Sequence, residues 1–169
     1  VYCEFINKDY AQFVLRGKSK VYYKLSEAIS DAAATSSIIV VKESGTLYEE
    51  TVNTSYYDAT NKKYTIPENV TLLVPCNAAY DYRLGPVQKE DFTAVTSFTC
   101  YKWLKIPSGI TLNFNGGLSV YAKLSHFGNA TMAQIMEYGQ IHLCDGAKIE
   151  LQSGAVANVY GYITGNHNK

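Results

Sequence analysis

Between Leu25 and Ala34 the apolar residues Leu25, Ala28, Ile29, Ala32 and Ala33 recur at helical spacing, with Ser26 as the expected N-cap and Glu27 in the first turn. This predicts one short helix. Elsewhere the pattern is that of strands. Phe13-Val14-Leu15 and Val21-Tyr22-Tyr23 are β-prone runs on either side of the polar stretch Arg16 to Lys20, and Ser37 to Val41 is a β-branched run of strand length. Gly45, followed by Leu47 and Tyr48, marks a turn into another short strand.

From Tyr64 onward the chain repeats itself loosely. Ile66-Pro67-Glu68-Asn69-Val70-Thr71-Leu72-Leu73-Val74 is echoed by Ile106-Pro107-Ser108-Gly109-Ile110-Thr111-Leu112-Asn113-Phe114, and a version without proline follows at Cys144 to Leu151. Short strands are expected at Gln140 to Leu143, Lys148 to Leu151 and Val156 to Ile163, with Gly139, Gly146, Gly154 and Gly165 as punctuation. Strands this short cannot each bury a face alone, but stacked coils can align equivalent side chains around one elongated core. The expected fold is therefore all-β, a right-handed parallel β-solenoid (β-helix) with one short N-terminal capping helix; the alternative is an antiparallel β-sandwich. Residues 1–169 are read as a single domain, a fragment of a longer chain, with 1–35 as an N-terminal capping region and 80–102 as a loop insertion. Ser125 to Tyr138 also breaks the pattern and is read as a loop.

Composition narrows the range of functions. Of 169 residues, 47% are hydrophobic and 18% charged, enough apolar material for a real core. Fifteen basic residues balance fifteen acidic ones, so no long-range field draws the chain to nucleic acid, and no apolar stretch approaches the roughly 20 residues of a membrane helix. Cys3, Cys76, Cys100 and Cys144 lack metal or redox spacing; Cys76 and Cys144 are read as small buried hydrophobes in strands, and a Cys3–Cys100 pairing stays open.

Catalytic chemistry is hard to find. The aspartates are dispersed, and no strand carries two at alternate positions. His126, His142 and His167 have no paired spacing for zinc, and His142, between Ile141 and Leu143, is expected to point outward from a strand. No nucleophile elbow or phosphate loop occurs. No catalytic residue, metal site or cofactor is assigned. Aromatic side chains are the remaining handle, with fifteen tyrosines in the chain. Tyr80, Tyr82, Tyr101 and Trp103, in or beside the insertion, are the expected binding residues, because rings combine apolar area with a polar edge at little entropic cost; Tyr56-Tyr57 lies in a similar setting.

The series Tyr23 to Ile29, Ile38 to Val41 and Ile66 to Pro75 resembles the opening of pectin-lyase-like right-handed β-helices. Ile106 to Leu112 and Gly154 to Gly165 are similar to repeats in large cell-surface proteins of Gram-positive bacteria. The resemblance implies an exported structural or adhesive module rather than an enzyme, located extracellularly or on a cell surface. Its partners would be a cell-wall or host glycan or a protein, with end-to-end or lateral self-association, and neither nucleic acid nor a membrane span. A polysaccharide lyase or hydrolase and a phage fibre or spike segment are the alternatives.

Overall fold

The computed structural model describes residues 10–76, 97–127 and 133–165. The helix forms as its periodicity dictates, α1 at Leu25–Thr35, with Leu25, Ala28, Ile29 and Ala32 fully buried. Its N-cap is Lys24 rather than Ser26, and no side chain of the cap residue closes the first turn. The chain leaves the helix through Ser36, which takes the left-handed conformation with φ 51°.

The remaining described elements are strands of two to eleven residues in three sheets. The first sheet has the order β1-β2-β6-β9-β13, formed by Gln12–Leu15, Ile38–Glu43, Thr71–Val74, Gly117–Val120 and Val156–Val159. The second joins β10 (Ala122–Phe127), β11 (Ala133–Leu143), β7 (Ser97–Ile106) and β3 (Gly45–Thr46), with β14 (Tyr162–Gly165) also paired to β11. The third runs β12-β8-β5-β4, formed by Lys148–Leu151, Thr111–Phe114, Lys63–Ile66 and Tyr57–Asp58.

Every sheet is mixed. Parallel ladders run β2-β6-β9-β13, β3-β7-β11-β14 and β5-β8-β12, but β1 pairs β2, β10 pairs β11 and β4 pairs β5 in the antiparallel sense. These antiparallel strands correct the expected single all-β parallel β-solenoid, and the parallel ladders equally exclude the antiparallel β-sandwich. The arrangement is a mixed-sheet, α/β-like one with a single short helix among the described residues. The physical reason is local. α1 returns the chain between β1 and β2 and packs on both, and the turn at Thr60 to Lys62 folds β5 back on β4, so in each case the reversed strand pairs with the next strand in sequence.

The repeats also sort differently from their sequence likeness. The Ile66-Pro67 corner leads from the third sheet to the first, whereas Ile106-Pro107 leads from the second to the third, so these two similar segments are not stacked on each other. The corner at Pro107 to Gly109 instead lies beside Asp145-Gly146, where the Gly109 N–H donates to the Asp145 carbonyl at 3.2 Å. Part of the proposed insertion is strand: Ser97 to Lys102 belong to β7, while 77–96 lie outside the described residues. The region read as a loop from Ser125 to Tyr138 contains the facing ends of β10 and β11. Cys76 is buried just beyond β6, and Cys144 is half-buried just beyond β11, so neither sits in a strand.

Inward-facing residues of all three sheets meet in one core. Leu72 and Leu118 come from the first sheet, Leu104 and Ile141 from the second, and Tyr64, Leu112 and Phe114 from the third, each at most 1% exposed. α1 packs on β1 and β2 and brings Leu25 and Ile29 into the same cluster.

Candidate binding surface

The outer face of the second sheet follows from strand alternation. In β7, Leu104 and Ile106 turn into the core, which puts Trp103 and Lys105 on the other side. In β11, Ile141 is buried in the core and Leu143 packs against it, leaving Gln140 and His142 outward. The parallel register then aligns Trp103 with Gln140 and Tyr162 in one row, and Lys105 with His142 and Thr164 in the next, with Thr46 beside Lys105. One row is thus aromatic at both ends and the other carries a cation, an imidazole and a hydroxyl.

Hydrogen bonds fix this array. Gln140 Nε2 donates to Thr164 Oγ1 at 2.7 Å, and Thr164 Oγ1 lies 2.9 Å from His142 Nδ1. The hydroxyl keeps one proton and a second lone pair after accepting from Gln140, so it suits either tautomer of His142. The Tyr162 ring stands edge-on to Tyr138, with centroids 4.7 Å apart, and burial pushes the Tyr138 hydroxyl above its ordinary pKa. Gln140 is fully buried, whereas Trp103, Lys105, His142, Tyr162 and Thr164 each keep part of their surface exposed.

A groove of about 390 Å³ adjoins this face and shares Thr46 and Lys105 with it. Tyr10 and Tyr48 line it as an edge-to-face pair at 5.2 Å, and Glu49, Ser108 and Cys144 complete its polar rim. Burial pushes the Cys144 thiol up against the opposing pull of Lys105, with Asp145 adding to the rise. The thiol therefore stays protonated at neutral pH and is not an activated nucleophile.

Of the sequence-predicted binding residues, Trp103 lies on this face, with its backbone N–H donating to Ser44 Oγ at 3.0 Å. Tyr101 is in β7 at the register shift, skipped between the Cys100–Tyr138 and Lys102–Gly139 pairs. Tyr80 and Tyr82 lie outside the described residues. Tyr57 is 2% exposed and stacks on Tyr64 at 4.2 Å, which makes it core rather than platform. Sequence reasoning missed Tyr10, Tyr48, Gln140 and Tyr162 as members of a surface, because only the sheet register brings them beside Trp103 and Lys105.

Several acidic groups are committed to structure. Glu50 is buried, and its carboxylate accepts from the Ser26 N–H at 3.1 Å, from the Ser26 hydroxyl and from the Tyr64 hydroxyl at 2.8 Å. It supplies from a distant loop the cap that Lys24 does not provide. Asp58 closes its own turn, accepting from Thr60 N, Asn61 N and Asn61 Nδ2, and the Asn61 hydrogen bonds hold its carboxyl below the usual range. Glu150 pairs with Lys63 at 3.2 Å, and Asp31 accepts from the Tyr22 hydroxyl. Among the described residues no three His, Cys, Asp or Glu side chains gather where they could hold a metal ion, and no helix is long and apolar enough to cross a membrane.

In comparisons with known proteins, no family model, no curated protein and no solved structure matches the chain.

Proposed function

We propose that this chain is a non-catalytic structural or adhesive module, displayed outside the cell, that binds a glycan through the outer face of its second sheet. The observation that carries this reading is the row Trp103–Gln140–Tyr162, in which two partly exposed rings flank an amide on three adjacent strands. Partly exposed rings stack on sugar faces, and Lys105, His142 and Thr164 make the neighbouring row polar. A sheet held by continuous ladders keeps these groups fixed, so little side-chain entropy is lost on binding. The extracellular setting is what the resemblance read from Ile106 to Leu112 and Gly154 to Gly165 implies, and it is part of the proposal.

The test is binding of the whole chain to immobilised peptidoglycan, to wall polysaccharide and to a glycan array. Binding to one of these should weaken at least about tenfold in Trp103→Ala and in Tyr162→Ala, a change of ~1.4 kcal/mol. The lyase or hydrolase alternative predicts new reducing ends or unsaturated products on incubation, and their appearance would replace the present reading. Retention of full affinity in both variants would also overturn it.

A further inference from the structure

Aromatic side chains recur on every second strand across the outer face of the second sheet. Tyr162 on β14 shares a row with Gln140 on β11 and Trp103 on β7, so the two rings stand two strand spacings apart, roughly 10 Å. Two further steps across the sheet, beyond β3, the chain at Tyr10 pairs in parallel with Thr46, and Tyr10 is 50% exposed. Tyr10, Thr46 and Lys105 line one groove, which puts this third ring on the same side of the sheet, one register step from the row of Trp103. Between the rings, β3 presents Thr46 and β11 presents Gln140 and His142. Along the strands the order differs. Each step of two residues passes from Trp103 to Lys105, from Gln140 to His142 or from Tyr162 to Thr164. Aromatic faces therefore recur across the strands and not along them.

We infer that the ligand of this face is an extended β-1,4-linked glycan of equatorially substituted hexoses, lying across the strands from Tyr10 to Tyr162. This rests on the glycan-binding reading above and names the class of sugar chain. In such a chain each sugar is turned over relative to the one before, so the same face returns at every second residue. The chain also advances by close to one strand width per sugar. Rings on every second strand then meet every second sugar on one face, and the ligand need not bend to reach them. Equatorial substitution leaves axial C–H groups on both faces of each sugar, which suit stacking, and sends the hydroxyls out from the edges. One edge faces the polar row of Lys105, His142 and Thr164. An α-1,4-linked chain curls into a helix and cannot hold successive faces on a flat row, and a single sugar covers only one ring. From Tyr10 to Tyr162 is four strand steps, through Thr46, Lys105 or Trp103, and Gln140, so the full site takes about five sugars.

Titration of the whole chain with cello- and chito-oligosaccharides of increasing length tests it. Trp103 is the single tryptophan, so its emission reports directly on stacking. Emission should change on binding, and affinity should rise with length to about five sugars and then level off. Tyr10→Ala should weaken the pentasaccharide about fivefold or more and leave the trisaccharide unchanged, whereas Tyr162→Ala should weaken both. Tyr10→Phe, which keeps the ring, should bind like the wild type. Malto-oligosaccharides of the same lengths should bind at least about tenfold more weakly. Equal affinity for the malto series, or a pentasaccharide affinity indifferent to Tyr10→Ala, would overturn the inference. The glycan-binding reading would still stand in that case if Trp103→Ala weakened binding to some other glycan. Failure to bind any glycan would remove both.

Discussion

At the scale of single residues, most of the described groups whose pKa is moved from its ordinary value are tyrosines. Tyr22 is raised from its ordinary 10.0 to about 12, first by burial and then by its hydrogen bond to Asp31 and the negative charge there. Burial also raises Tyr57, Tyr64, Tyr121 and Tyr138, with the Glu50 carboxylate reinforcing the effect at Tyr57 and Tyr64. A raised pKa means that the folded chain holds the proton more tightly than the unfolded one. The stabilisation from Tyr22 is therefore complete below pH 10 and is lost as pH rises through 12. We expect ultraviolet titration of tyrosinate to separate into an early phase from exposed rings and a late, cooperative phase that coincides with unfolding. Tyr22→Phe should flatten the fall of the urea midpoint between pH 10 and 12, whereas an unchanged slope would show that Tyr22 does not contribute. None of this coupling was legible in the linear sequence. Glu50 lies 24 residues from Ser26 and 14 from Tyr64, and no periodicity joins them.

At the scale of elements, the helix was legible because five apolar residues share one face, and β2, β6 and β8 were legible because β-branched and aliphatic runs follow turn signals. Their partners were not, since two similar Ile-Pro corners serve different sheets, and alternation says which face is apolar but not which strand lies alongside. What fixes the corners is steric. Gly109 and Gly146 both hold positive φ, 79° and 77°, in adjacent turns. Gly116 has ordinary φ, but a Cβ there would overlap the carbonyl oxygens of Pro67 and Val70. Those are backbone atoms, the Val70 oxygen held by the Gly117 N–H and the Pro67 oxygen by the Val70 N–H, so they cannot yield without disturbing the β6–β9 ladder. Gly116→Ala should therefore cost about 2–3 kcal/mol, in the range of overpacking. Gly17→Ala, with positive φ of 80° but nothing within 4 Å, should cost only about 1 kcal/mol from backbone strain alone. Equal losses in urea denaturation would show that close approach does not govern the Gly116 corner.

Across the whole molecule, the cyclic visiting of three sheets creates layers, and layers differ in how many neighbours protect them. The binding face is partly legible at this scale: Trp103 was visible as an aromatic beside the expected loop insertion, but Tyr10, Tyr162 and Gln140 reach it only through pairings that span up to tens of residues. That Leu151, Val159 and Ile163 face inward yet stay half-exposed required the register. β6, β8 and β9 are paired on both sides, by β2 and β9, β5 and β12, and β6 and β13. Their amides can exchange only when the molecule opens as a whole, while β12, β13 and β14 can fray from one side at lower cost. Hydrogen exchange in dilute protein should accordingly run from slow in β6, β8 and β9 to fast in the last three strands. Uniform protection across the layers in dilute solution would mean that the terminal strands belong to the same cooperative unit as the core, and that their exposed apolar side chains need no partner to hold them in place.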